Sequence, residues 1–223
     1  MDVESPTLAR PTAREIHVWR IELRGDPERH VASLSAAERG RHSRLRDERR
    51  DQFAISHGAV RQVLGAYLGR DARDVPLDAA SGRPPSVRGL GLSLTHCDEL
   101  ALLAIALGPV GVDVEALNRL EPGELPELAD TTLSPAELTQ FLQTPSQHQA
   151  RAWLRSWVRK EALLKACGEG IGDRPLRGLD VSADQVDGLT LIDLDVGPNH
   201  LAAAAITPPA ERIVFRDWID GSR

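Results

Sequence analysis

Apolar and polar residues alternate from Glu15 to Leu23, EIHVWRIEL, with the period of two that a strand requires. Beyond Ser35 the period changes. Ser35 followed by Glu38 is a capping-box pattern, and it predicts one helix or a pair over AAERGRHSRLRDERRDQF. Val60, Val63, Leu64, Tyr67 and Leu68 continue at helical spacing until Gly69, which ends the helix. SGRPP, at residues 81 to 85, marks a turn in an irregular stretch. Strands are predicted at Leu92 to Thr95, Leu100 to Leu107 and Val110 to Glu115.

The second half follows a similar order. Ser134-Pro135-Ala136-Glu137 starts a helix, with a serine cap, a proline in the first turn and glutamate at the third helical position. A longer helix is predicted from about Arg151 to Cys167, ending at Gly168, followed by strands at Thr190 to Asp195, Leu201 to Ile206 and Arg212 to Trp218. VRQVLGAYLG (60 to 69) and RKEALLKACG (159 to 168) align a basic residue, an apolar pair and a terminal glycine, and LALLAIAL is similar to HLAAAAI. The expected architecture is α+β, with two similar halves, 1–108 and 109–223, each a small antiparallel sheet packed on a long helix.

Composition narrows the class. With 41% hydrophobic and 27% charged residues over 223 positions, the chain reads as an ordinary globular protein of one large domain or two small ones. Residues 1 to 12 lack the features of a signal peptide. No apolar run approaches the roughly 20 residues of a membrane helix, so a cytoplasmic protein without a membrane partner is expected. The net charge of -6 argues against general nucleic-acid binding. Cys97 and Cys167 show neither disulfide nor zinc spacing and read as free thiols. Residues 39 to 50, RGRHSRLRDERR, carry a local charge of about +4; the run is either a solvated helix face laced with ion pairs or an anion site.

Among 27 basic residues, Lys160 and Lys165 are the only lysines, and both fall in WVRKEALLK, residues 157 to 165. Lysine offers a compact ammonium that arginine does not reproduce. Glu161 and Lys165 stand four apart and share a helix face, with Trp157 one turn earlier. This is either a stabilising ion pair or part of a site that handles a metal and a polyanion. In GVDVE, Asp113 and Glu115 point to one face of a strand. That face is either exposed or holds a hard divalent cation with oxygen ligands and substrate phosphates. Cys97 and its neighbour His96 point to opposite faces, which disfavours a nucleophilic dyad.

Taken in order, Gly82-Arg83-Pro84, Ser93-Leu94-Thr95-His96, Gly111-Val112-Asp113-Val114-Glu115 and WVRKEALLK resemble the 4'-phosphopantetheinyl transferases, closest to the long, single-chain type, over about residues 15 to 218. The resemblance implies a monomeric pseudo-dimer of two α+β halves, with coenzyme A between them. It also implies transfer of phosphopantetheine to a serine of an apo acyl or peptidyl carrier protein of polyketide, non-ribosomal peptide or fatty-acid synthases, with release of adenosine 3',5'-bisphosphate. By the same resemblance, Asp113, Glu115 and Glu161 would bind Mg2+ or Mn2+. Glu161 would also serve as general base, and Lys165 would neutralise the diphosphate and leaving group. His96, Thr95, Arg83, Arg39 and Arg50 are expected at the coenzyme A phosphates or adenosine side, and Lys160 at the phosphates or in an ion pair. The competing readings are a different Mg2+-dependent phosphoryl-transfer or hydrolytic enzyme and a non-catalytic binding module.

Overall fold

A computed structural model describes residues 8–77, 86–120 and 123–220. In chain order the elements are β1 (Glu15–Glu22), α1 (Glu28–Val31), α2 (Ala36–His42), α3 (Asp47–Leu68), β2 (Ser86–Val87), β3 (Leu90–Cys97), β4 (Leu100–Ala106) and β5 (Val110–Ala116). They continue with α4 (Leu125–Thr132), α5 (Pro135–Gln143), α6 (Ser146–Cys167), β6 (Gln185–Val186), β7 (Leu189–Leu194), β8 (His200–Ile206) and β9 (Arg212–Trp218). The arginine-rich run forms a pair of helices: α2 has the full capping box of Ser35 and Glu38, and α3 begins after an extended Arg46. α3 and α6 each have 22 residues and stop at left-handed glycines, Gly69 at φ 61° and Gly168 at φ 75°, a conformation that carries no Cβ penalty at glycine.

The strands form two sheets, ordered β2-β3-β4-β1-β9 and β5-β8-β7-β6. Their period-two burial sorts side chains into layers. In β1, Trp19 and Ile21 pack toward α3 with Ile55, Val60 and Leu64, whereas Ile16 and Val18 face a core shared with Val110, Val112 and Val114 of β5. On the far side of the second sheet, Ala203 and Ala205 of β8 meet Val158, Ala162 and Leu163 of α6. The apolar interior thus lies between α3 and the first sheet, between the sheets, and between the second sheet and α6.

One pairing departs from the expectation of an antiparallel sheet in each half. β9 lies parallel to β1, from Glu15 opposite Arg212 to Ile21 opposite Trp218, and completes the first sheet although it comes from the end of the chain. The pairing covers the free edge of β1 and is tied by Arg20 Nε donating to Asp217 Oδ1 at 2.7 Å and by Arg212 against Glu15 at 3.1 Å. Strand alternation identifies β9 as a strand, but which sheet edge it joins is a tertiary choice. Among the described residues no helix is long and apolar enough to cross a membrane.

Candidate active site

Gly111 determines how closely α6 approaches β5. A Cβ there would lie 1.9 Å from the Ala162 carbonyl oxygen. The missing side chain therefore lets the helix backbone rest on the strand, on the face that also carries Asp113 and Glu115. α6 contributes Glu161 and Lys165, one turn apart. Lys165 Nζ donates to Asp113 Oδ1 at 2.6 Å and lies 3.3 Å from both Thr95 Oγ1 and the Val112 carbonyl. Thr95 Oγ1 donates to the same Asp113 oxygen at 2.9 Å, and Ser93 Oγ accepts from Val112 N at 3.0 Å. These two hydroxyls on β3 join the first sheet to the second beneath the site.

Asp113 is 4% exposed. Its second oxygen, Oδ2, and Glu161 Oε1 are both buried without a hydrogen-bond partner. Buried carboxylate oxygens ordinarily find donors, so this pair of acceptors fits a cation that sits between strand and helix. Burial is the main cause that raises the Glu161 pKa, and the Asp113 charge adds to it; Lys165 and Arg119 act in the opposite direction. A carboxyl raised in this way is suited to accept a proton near neutral pH.

The third predicted carboxylate is directed elsewhere. Glu115 forms an ion pair with Arg119, whose guanidinium lies 5.9 Å from the Trp157 ring centroid. Among the described residues, the one trio of His, Cys, Asp or Glu side chains whose donor atoms all lie within 4.8 Å of one another is Cys97, Asp98 and His200, not Asp113, Glu115 and Glu161.

Lys160 turns away from the cleft. It is 1% exposed, with Nζ 2.7 Å from Glu137 Oε2 and donating to the carbonyls of Thr132 at 2.6 Å and Leu176 at 2.9 Å. Glu137 also accepts from Ser134 N and Val181 N. Lys160 thus ties α6 to the start of α5 and the loop beyond it, and of its two expected roles it takes the ion pair. The two lysines point to different sides of one helix: one neutralises a structural glutamate, the other faces the cleft.

That cleft is a cavity of about 710 Å3, lined by Lys165 and the segment from Gly168 to Asp173 on one side and by α2 and α3 on the other. Its α3 wall places the Phe53 and His57 rings in a stack 3.9 Å apart, with Arg41 5.2 Å from the Phe53 centroid. Burial alone would raise the Glu38 carboxyl, but hydrogen bonds from His57, Ser35 and Arg61 outweigh it and hold the group down to about 2. The wall therefore carries a fixed anion among cations, next to a flat aromatic surface.

The other predicted residues divide. His96 is exposed at the end of β3; the surrounding protein lowers its pKa, and the charges of His57 and Lys165 push the same way. Thr95 is buried and its hydroxyl proton is engaged by Asp113. Arg39 donates to the Leu34 carbonyl, and Arg50 is half exposed, 3.9 Å from Asp51; neither lines the cavity. Arg83 lies outside the described residues. Burial and then the charges of Asp98 and Asp113 push the Cys97 thiol up to about 12, which removes it as a nucleophile. Arg41, within the run read as a possible anion site, lines the cavity, as do Phe53, His57 and Arg61, which were not predicted. Their signal was present, because Phe53, His57 and Arg61 recur every four residues along one helix face.

A mixed α+β fold with buried carboxylates, an ammonium and a large cleft with basic side chains on its walls has the chemistry of an enzyme acting on a phosphorylated substrate. A sequence profile of the 4'-phosphopantetheinyl transferase superfamily matches residues 109–210. The chain is also 34% identical over 169 residues to the 4'-phosphopantetheinyl transferase HetI of Nostoc sp. (strain PCC 7120), with 70% of each chain covered. The chain belongs to the 4'-phosphopantetheinyl transferase superfamily, and it is a transferase enzyme.

Proposed function

We propose that the chain transfers the 4'-phosphopantetheine group of coenzyme A to a serine of an apo acyl or peptidyl carrier protein of a polyketide or non-ribosomal peptide synthase, releasing adenosine 3',5'-bisphosphate. The observation that carries the reading is Lys165 bonded to Asp113 beside two buried, unpartnered carboxylate oxygens next to a 710 Å3 cleft. Two 22-residue helices with matching glycine stops support a pseudo-dimer of halves 1–108 and 109–223, with coenzyme A bound between them.

In this reaction the carrier serine oxygen forms a bond to the phosphorus that carries pantetheine. The bond from that phosphorus to the bridging oxygen breaks, and the electron pair leaves with adenosine 3',5'-bisphosphate. Glu161 accepts the serine proton; its raised pKa makes it an adequate base. Lys165 faces the negative charge that builds on the leaving group. Thr95 and Lys165 hold Asp113 in place through its first oxygen and leave the second free. Asp113 and Glu161, with Glu115 released from Arg119, would hold Mg2+ or Mn2+. When bound, that ion supplies charge neutralisation for the diphosphate. Arg41, Arg61 and the Phe53–His57 stack offer a basic, aromatic wall for the nucleotide.

The test is intact-protein mass spectrometry of an apo carrier protein after incubation with this enzyme, coenzyme A and Mg2+. One added phosphopantetheine, lost on chelation, is expected. Hydrolysis of coenzyme A with no carrier modification on several carriers would overturn the reading in favour of a different phosphate-ester chemistry.

A further inference from the structure

Outside the lining of the cleft, side chains able to bind a metal gather where β3 and β8 bring the two sheets together. There β3 ends at Cys97, the turn continues through Asp98 at φ 45°, and β8 begins at His200. The Cys97 sulfur, an Asp98 oxygen and a His200 ring nitrogen all lie within 4.8 Å of one another. We propose that these three side chains form a second divalent-metal site, for a borderline ion of the Zn2+ type, that ties the first sheet to the second.

Donor chemistry separates this site from the carboxylates beside Lys165. Asp113 and Glu161 present oxygen alone, which suits a hard ion, whereas sulfur, imidazole nitrogen and one carboxylate are the ligands of zinc. Three protein ligands with an open fourth position are the usual form of an accessible zinc site. The open side is available here, since Asp98 and His200 line a cavity of about 670 Å3 that also presents Glu22, Asn118 and Asn199. No residue of that cavity's lining occurs in the lining of the cleft.

The scaffold holds the three ligands independently of any ion. Cys97 pairs with Leu100 across the β3–β4 hairpin, and His200 pairs with Ala116 at the start of the β5–β8 ladder. Gln52 of α3 donates to the Asp98 carbonyl at 2.9 Å and fixes the turn. Among the described residues, neither the Asp98 carboxylate nor the His200 imidazole has a hydrogen-bond or ion-pair partner, so both are available to a cation. A bound ion would displace the thiol proton; uptake therefore releases a proton and strengthens as pH rises. Because the ligands come from both sheets, occupancy would also raise the unfolding temperature.

Cobalt spectroscopy tests the proposal on the full chain. Cys167 is exposed and is the other free thiol, so a Cys167→Ser background assigns any sulfur signal to Cys97. After chelator stripping, titration with Co2+ should produce a sulfur-to-cobalt charge-transfer band that Zn2+ displaces. The band should vanish on adding Cys97→Ser, weaken at least tenfold in affinity on adding His200→Ala, and persist on adding Glu161→Gln. Circular dichroism confirms that each variant is folded. Absence of the band in the Cys167→Ser protein, or a band indifferent to His200→Ala, would overturn the site. Loss of the band on adding Glu161→Gln would make Glu161 a ligand of the same ion as Cys97 and overturn a separate site equally.

Discussion

Replacing Gly111 with alanine would put a methyl carbon 1.9 Å from the Ala162 carbonyl oxygen and 2.6 Å from the Ala166 nitrogen. Carbon and oxygen meet comfortably at about 3.3–3.6 Å, so α6 and β5 must separate by about 1.5 Å. Both obstacles are backbone atoms and cannot rotate away. Overpacking of this kind costs about 1–3 kcal/mol. The functional effect should be larger, because the same displacement carries Glu161 and Lys165 away from Asp113, to which Lys165 is bonded at 2.6 Å. A misplacement of about 1 Å is associated with a rate loss of about 100-fold. Urea unfolding and the initial rate of carrier modification read the two effects separately. Gly178→Ala is the control, since a Cβ there meets nothing within 4 Å. A Gly111→Ala enzyme with wild-type stability and rate would refute the claim that helix–strand contact sets the site.

The two lysines should separate by assay. Lys160→Met leaves Glu137 buried and unpaired, a loss of about 3–5 kcal/mol, which the double variant with Glu137→Gln should partly restore in urea unfolding. Lys165→Met removes a partly exposed ammonium, so the unfolding midpoint should change little while kcat for carrier modification falls about 10²- to 10³-fold. Glu161→Gln should stabilise the metal-free protein at alkaline pH. The wild-type carboxyl has a raised pKa in the fold, so the folded state holds its proton longer and stability is lost as pH rises from the ordinary glutamate range through the raised value. Urea midpoints at pH 5 and pH 8 should show the gap in favour of the variant widening at the higher pH; a less stable variant at pH 8 contradicts this. Arg41→Ala should raise KM for coenzyme A about tenfold, equivalent to about 1.4 kcal/mol, with kcat nearly unchanged.

β1 and β5 were legible from alternation and the long helices from apolar residues at helical spacing, whereas β4 and β8, buried on both faces, were legible as short apolar runs bounded by turn residues. The capping boxes at Ser35 and Ser134 were legible from two residues each, and both formed. β9 was visible as a strand but not as the partner of β1, because alternation specifies faces and not edges. Lys160 was ambiguous for a related reason: its neighbour Glu161 lies close enough to feel the Asp113 charge, but the partner that neutralises Lys160 is Glu137, far away in sequence. In the arginine run, charge attracted attention to Arg39 and Arg50, while the cleft is lined by Arg41 and by Arg61 beyond the run. A charge count cannot separate arginines on adjacent helix faces. Strand and helix periods fix the faces that Asp113, and Glu161 with Lys165, each take, but that these two faces belong to one site was read from the family resemblance and not from the periods.

The most direct test of the account is single-turnover transfer by the Glu161→Gln enzyme with coenzyme A and Mg2+, followed by intact mass of the carrier and paired with calorimetry of coenzyme A binding. The account predicts that coenzyme A still binds while no phosphopantetheine reaches the carrier serine within the time that the wild-type enzyme completes the reaction. Transfer at the wild-type rate would contradict it and remove Glu161 from the chemistry.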